Sequence, residues 1–307
     1  MNAPADATLT AAPHDRINWW AEARGLIGML LAVVTFHSMV AKPFYIPSAS
    51  MVPGLWVGDH LLVSKYAYGW NWASPSFHIL PRAGWRVMGR VPEYGDIVIT
   101  VPRDRPTEDY IKRVVALPGD RIAVRHGQIV LNGRPVPQSV EPPVQVPLDG
   151  LARGAGAMPC SGYRYMGMLM RKPSGATVCE IPVLRETMPN GATYLVADTH
   201  DGRADDRPEI RIPAGHVFLM GDNRGDSADS RFSLADNGLG GPVALSDIGG
   251  RAEFVTHSFN DSTSWNPLSW WRGLRSGRAW RTLRPALDLG QTASPEPTTS
   301  RIADRTP

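Results

Sequence analysis

No HExxH segment and no other closely spaced set of metal ligands occurs in this chain, whose eight histidines stand singly. Each histidine reads as a surface or packing residue, and no metal or other cofactor is expected. No GxxxxGK segment occurs either, so GDN and LPGD do not belong to a nucleotide loop. Helical periodicity is scarce beyond the N-terminal segment, and no repeat of fixed period stands out. The positive excess is only +3 and the arginines form no recognition motif, which argues against nucleic acid. A membrane surface accounts for the basic bias better. Cysteine is nearly absent: Cys160 and Cys179 fall in one central region and are either a disulfide or two unpaired small core residues.

Glycine (30) and proline (28) are plentiful, which together with the missing helical periodicity favours a strand-and-loop architecture. One long apolar run is present. Gly25 to Ala41 is 17 uncharged residues between Arg24 and Lys42, preceded by Trp19 and Trp20 as an interfacial belt. Cleavage after Ala41 would put Met39 where a secretory signal needs a small residue, so the run reads as an uncleaved anchor. Arg16 and Arg24 before it, against Lys42 beyond it, lean the N-terminus toward the cytoplasm.

The expected organisation is a disordered tail (1–16), a transmembrane anchor (17–42), a first core segment (43–120), an inserted subdomain (121–212), a second core segment (213–260), a Trp/Arg-rich membrane-proximal segment (261–288) and a second disordered tail (289–307). LLVSKYAYG, GDIVITV, DYIKRVVALPGD, GHVFLMGDN and GRAEFVTHSF read as strands bounded by turn residues. His126-Gly127 and Asn132-Gly133 are two-residue turn candidates within a β-meander. PVPQSVEPPVQVPLDG and its surroundings lack dense apolar patterning and read as loop-rich. All ten tryptophans lie before residue 86 or after residue 264, which assigns the anchor-proximal and C-terminal segments to one environment of the kind a bilayer interface provides. Five arginines from Arg272 to Arg284, with no acidic residue among them, mark either an interfacial segment or an exposed basic tail.

Ser50 in FYIPSASMVPGL and Lys112 in DYIKRVVALPGD carry the chemistry. A serine hydroxyl is a poor nucleophile until something takes its proton, and a lysine can take it only when neutral. With an ordinary pKa of about 10.4, roughly one lysine in a thousand is neutral near pH 7.4, so burial must lower that value. On a strand, Tyr110, Lys112, Val114 and Ala116 point one way, giving the lysine apolar neighbours while Arg113 faces the other side. Taken singly, Ser50 is a turn serine between Pro47 and Pro53, and Lys112 an edge-strand lysine.

PSASMVPGL, GDHLLVSKYAYG, DYIKRVVALPGD and GDNRGDSADSR closely resemble four motifs of the bacterial type I signal peptidases and arrive in that family's order. The resemblance implies a mainly β fold: an antiparallel β-sheet catalytic core with an inserted β/loop-rich subdomain and one N-terminal transmembrane helix. It implies a serine endopeptidase that removes signal peptides from exported preproteins. Ser50 would be the nucleophile, Lys112 the base, and the Ser48 hydroxyl with the Ser50 N–H the oxyanion hole. Ser227 would orient the lysine, with Asp229, Arg231 and Arg113 in a supporting network. Phe44, Ile46, Leu55 and Ile111 match positions lining small apolar subsites that select an Ala-X-Ala-like sequence. Two positions depart from the pattern: Gly54 stands where threonine is common, and Gly225-Asp226 where Asp-Asn is frequent. The resemblance also implies a single-pass protein of the bacterial inner membrane with its catalytic part on the periplasmic side. Its partners would be signal peptides, the lipid bilayer and the secretion machinery. Two alternatives share parts of the reading: a processing peptidase of the same family dedicated to a conjugation or pilus substrate, and a noncatalytic membrane-tethered β-module.

Overall fold

Prolines and glycines cut the apolar runs into short strands, and the computed structural model, which describes residues 18–77, 80–149, 160, 168–173, 175–197 and 204–288, is accordingly mainly β. The two expected tails, 1–16 and 289–307, lie outside the described residues. Helix α1 (Trp19–Met39) is capped by Asn18, whose side chain accepts from the Ala21 N–H, and it buries none of its residues. Its 21 residues, of mean hydropathy 1.3, are long and apolar enough to cross a membrane. One N-terminal helix of this kind fits a single-pass membrane protein.

Strands β1 (Ala41–Tyr45) and β2 (Asp59–Ser64) follow, then a ribbon of β3 (Trp70–Asn71) and β4 (Arg86–Val87), then β5 (Ile97–Thr100) and β6 (Tyr110–Ala116). Next come β7 (Arg121–Arg125), β8 (Gln128–Leu131), β9 (Arg134–Pro135), β10 (Gln138–Pro147), β11 (Leu169–Arg171), β12 (Thr177–Thr187), β13 (Ala192–Val196) and β14 (Arg207–Arg211). The chain ends in β15 (His216–Met220), β16 (Val243–Ala244), β17 (Ile248–Ser258), the short helix α2 (Pro267–Gly273) and β18 (Ala286–Leu287). A seven-stranded antiparallel sheet has the order β1-β2-β17-β5-β6-β15-β16. It draws only on strands before residue 117 and after residue 215, and the residues between them build most of two further sheets, β14-β7-β8-β9 and β10-β12-β13-β18. β6 is buried from Ile111 to Ala116, so the sheet is covered on both faces at the strand that carries Lys112.

Both turn candidates join strands of the meander, β7 to β8 and β8 to β9. His126 and Gly127 take φ of 48° and 77°, and Asn132 and Gly133 take 54° and 80°, the paired positive values of a type I′ turn. The proline-rich stretch is a correction: it forms the ten-residue strand β10, not loop. β10 is a sheet edge, and its register against β12 shifts between Glu141 and Val144, at Pro142-Pro143. An edge with a bulge is where a sheet accepts residues that lack an N–H.

The tryptophans do not share one environment. Trp265, Trp271 and Trp280 are exposed, whereas Trp72 is fully buried and donates to Asp247. Neither reading of the C-terminal arginines holds for all five. Arg278 is buried against Asp59, Arg275 pairs with Asp149, and Arg284 reaches Asp96 at 3.2 Å and Glu253 at 3.5 Å. These arginines fold back onto carboxylates of the core because the segment itself offers none. Cys160 and Cys179 are joined in a disulfide with their Cα atoms 5.8 Å apart.

Candidate active site

Ser50 sits in the turn-rich connection between β1 and β2, where Val52 N–H donates to Ala49 and Leu55 N–H to Met51. The apolar residues around it divide between two cores. Ala49 and Val52 pack in the cluster that holds the disulfide, while Met51 and Leu55 pack with Ile46 and Leu61 on the other side. The loop is thus held from both faces with Ser50 between them. A third tie comes from Asn223, whose backbone N–H donates to the Ser50 carbonyl at 3.1 Å and whose side chain donates to Ala49.

Lys112 enters from β6, opposite Val98 of β5. Only 4 % of it is exposed, and its Nζ donates to Ser50 Oγ at 3.0 Å. Burial, only partly offset by Asp229 and Asp222, pulls the ammonium from 10.5 down to about 8. At that value about one lysine in five is neutral near pH 7.4, some two hundred times the ordinary fraction. Ser48 Oγ lies 3.5 Å from Ser50 Oγ, on the same short segment.

Arg113, the next residue of β6, points away and grips Asp222 through Nε at 2.7 Å and Nη2 at 2.6 Å. Asp229 and Arg231 form a separate buried pair at 2.9 Å, so the three residues expected in one network belong to two ion pairs. Burial pushes the Asp229 carboxyl up, but the Arg231 guanidinium and N–H bonds from Gly221 and Arg231 hold it below its ordinary range. A third buried pair, Arg224 with Glu186, adjoins them, and Arg231 also donates to the Arg224 carbonyl. Asp222, Asn223, Arg224 and Glu186 were not singled out from sequence. The first three stand in GDNRGDSADSR, whose dense polar content after an apolar strand was the available signal; Glu186 gives none.

The Ser227 hydroxyl is buried but makes no hydrogen bond, so the bond to Lys112 expected of it is not formed. It nevertheless lies beside the site: a β-carbon on Gly221 would overlap both Ser227 Oγ and the Ser50 carbonyl oxygen. Lys112 already donates to Ser50, and the Ser227 hydroxyl is turned to the Gly221 backbone. Gly54 is similarly confined, since a β-carbon there would stand 2.8 Å from Asp222 Oδ2. The absence of threonine at this position therefore matches the close approach of Asp222.

A cleft of about 480 Å³ opens over the pair. Phe44, Ile46, Ile111, Ser48, Ser50 and Lys112 all line it. Leu55 does not; it is fully buried and backs the cleft from the core, because the turn after Pro53 carries it inward. A larger apolar depression of about 610 Å³ beside Phe218 and Phe232 contains neither Ser50 nor Lys112. No group of three or more metal-ligating side chains occurs among the described residues.

A mainly β protein with a buried serine–lysine contact at the floor of an apolar cleft has the makeup of a hydrolase. Residues 18–257 match the family described as signal peptidase, peptidase S26. Signal peptidase I of Rickettsia typhi is 27% identical over 251 residues, covering 79% of this chain and 79% of the relative. Signal peptidase I of Rickettsia akari is 26% identical over 261 residues, covering 82% and 81%. A solved signal peptidase I from Enterococcus faecalis V583 is 16% identical, covers 53% of this chain and 97% of its own, and has a TM-score of 0.26, too low to bear on the fold. The chain belongs to the signal peptidase S26 family and is a serine endopeptidase.

Proposed function

We propose that the chain removes N-terminal signal peptides from exported preproteins, with Ser50 as nucleophile and Lys112 as base. The observation that carries this reading is the 3.0 Å contact between Lys112 Nζ and Ser50 Oγ in a buried site. Neutral Lys112 accepts the Ser50 proton as Oγ attacks the carbonyl carbon at the cleavage site. The developing oxyanion is met by the Ser48 hydroxyl and the Ser50 N–H. The lysine ammonium then passes its proton to the leaving amine. In the second half, Lys112 takes a proton from water, and the resulting attack releases the acyl group from Ser50. Asp229, Arg231 and Arg113 hold the framework around the pair, and Ser227, whose buried hydroxyl lies beside Gly221, takes the lysine-orienting role once its side chain rotates toward Nζ. Phe44, Ile46 and Ile111 wall subsites for small apolar side chains, which exclude bulk by shape.

Helix α1 anchors the protein in the bacterial inner membrane, with the catalytic part on the periplasmic side. A substrate whose own apolar segment lies in that bilayer meets a cleft held at its surface. The division into core segments 43–120 and 213–260 around an insert at 121–212 belongs to the same reading. It is supported by the two parts of the chain that share the seven-stranded sheet. The exposed Trp265, Trp270, Trp271 and Trp280 suit contact with the interface.

The test is cleavage of a purified preprotein by the full chain in detergent, read as release of the mature N-terminus. Ser50→Ala and Lys112→Met are each expected to abolish release while melting no lower than the parent. Release at the parental rate by either variant overturns the assignment. Cleavage of a conjugation or pilus substrate alone, from a panel of preproteins, overturns the general substrate range in favour of a dedicated peptidase.

A further inference from the structure

Lys65 is a second buried lysine, and the steps above do not use it. It follows β2 directly, its backbone N–H donates to the Val40 carbonyl, and only 2 % of the residue is exposed. Its ammonium has three hydrogens to donate. The described residues give it one long hydrogen bond, to the Ala73 carbonyl at 3.4 Å. What it faces otherwise is an aromatic ring: Nζ stands 5.7 Å from the centroid of Phe44. Lys42 Nζ stands 4.7 Å from the same ring. Phe44 belongs to β1 and lines the cleft over Ser50.

We infer that Lys65, together with Lys42, holds the Phe44 ring in place as a wall of the cleft, and so sets how large a substrate side chain the cleft admits. Lys65 is a positioning residue: it acts through Phe44. The inference rests on reading this cleft as the substrate site. An ammonium over an aromatic face is attracted by the ring's quadrupole, and more strongly where water is excluded, as it is around Lys65. Lys42 is independently fixed by the Ser76 carbonyl at 3.0 Å and by Asp109 at 3.9 Å, so the ring has one partly exposed cation and one buried one. The charged groups that act on Lys65 are Lys42 from β1 and Asp109 from the segment before β6.

This arrangement gives substrate selection its own pH dependence. Burial foremost, then repulsion by Lys42, lowers Lys65 from 10.5 to about 8, with Asp109 opposing. Below that pH both cations hold the ring; above it only Lys42 does. Discrimination against larger side chains therefore weakens as pH rises through about 8.

The test compares two peptide substrates that carry Ala or Val at the first and third residues before the cleaved bond. The quantity read is the ratio of their kcat/KM values between pH 6.5 and 9.5, a range chosen to bracket roughly one and a half units on each side of the ionisation. The parent is expected to lose selectivity for Ala as pH rises. Lys65→Met is expected to lower the ratio at pH 7 by about threefold to tenfold and to flatten its pH dependence. In a Phe44→Leu background, adding Lys65→Met should leave the ratio within about twofold, because the ring it acts through is gone. An unchanged ratio and pH dependence in Lys65→Met overturns the inference, and so does an equal loss in the Phe44→Leu background. Replacing a buried charge with an apolar chain of similar length does not threaten folding, and thermal melting verifies that. Failure here is distinct from failure of the catalytic reading. If Ser50→Ala is inactive while Lys65→Met keeps parental selectivity, only this inference falls; if Ser50→Ala cleaves, the proposed function falls with it.

Discussion

Lys112 Nζ donates to Ser50 Oγ at 3.0 Å, while Arg113, the next residue along the strand, turns the other way into Asp222. The alternation of a β-strand thus separates two demands that conflict. For Lys112 to act as the proposed base, its amine must be dry and free of carboxylate contact, whereas the Arg113 guanidinium must be charged to hold Asp222 beside the serine loop.

That separation predicts an unusual stability profile. Lys112 and Lys65 both stand at about 8 in the folded chain against an ordinary 10.5. Folded values below unfolded ones mean that, between about pH 8 and 10.5, the unfolded chain binds more protons, so stability rises with pH across that window. Below it, each buried ammonium costs on the order of 3 kcal/mol. Lys112→Met and Lys65→Met should each melt higher than the parent at pH 7, with the advantage shrinking toward pH 10. An advantage that does not vary with pH would contradict this.

Ser48 Oγ lies 3.5 Å from Ser50 Oγ, and Ser48 is half-buried in the lining of the cleft. Ser48→Ala should lower kcat on the order of 100-fold with little change in KM, the pattern of a donor used only in the transition state. Steady-state kinetics on a peptide substrate distinguishes this from a binding defect, in which KM rises instead.

Gly54 tests whether the departure from threonine is tied to Asp222. Gly54→Thr forces a β-carbon within 2.8 Å of Asp222 Oδ2. Chemical denaturation should show a loss of about 1–3 kcal/mol, as for other overpacked sites. Parental stability would show that Asp222 yields without cost.

The Cys160–Cys179 bridge packs in one cluster with Ala49 and Val52, the neighbours of Ser50. Reduction should lower stability by about 3 kcal/mol and slow cleavage. Melting temperature and rate, each measured with and without a thiol reductant, give the comparison; a Cys160→Ser/Cys179→Ser variant should match the reduced parent and not respond to reductant.

The core strands were legible because short apolar runs bounded by turn residues survive as sequence pattern: DYIKRVVALPGD and GHVFLMGDN correspond to β6 and β15, each buried on both faces. The type I′ turns followed from Gly127 and Gly133 for the same local reason. β10 was not legible, because its prolines suggest loop unless one knows that the strand is an edge with a bulge. The pairing of Ser50 with Lys112 could be read from motif resemblance, as could Arg113, Asp229 and Arg231 near it, but the partners Asp222, Arg224 and Glu186 could not. Glu186 lies 38 positions from Arg224, and Asp59 lies 219 from Arg278, so nothing local announces either pair. Leu55 and Ser227 mark the limit of motif matching: Leu55 lies behind the cleft and Ser227 makes no bond to Lys112, because which way a side chain faces is decided by packing around the loop.

The most direct test of the lysine-activated serine is the pH dependence of kcat for preprotein cleavage at saturating substrate. The value should rise with pH through one ionisation at about 8 or somewhat below, where Lys112 loses its proton, and it should be absent in Lys112→Met. A profile governed by an ionisation near 6.5, as a histidine base would give, or full activity in Lys112→Met, would contradict the account.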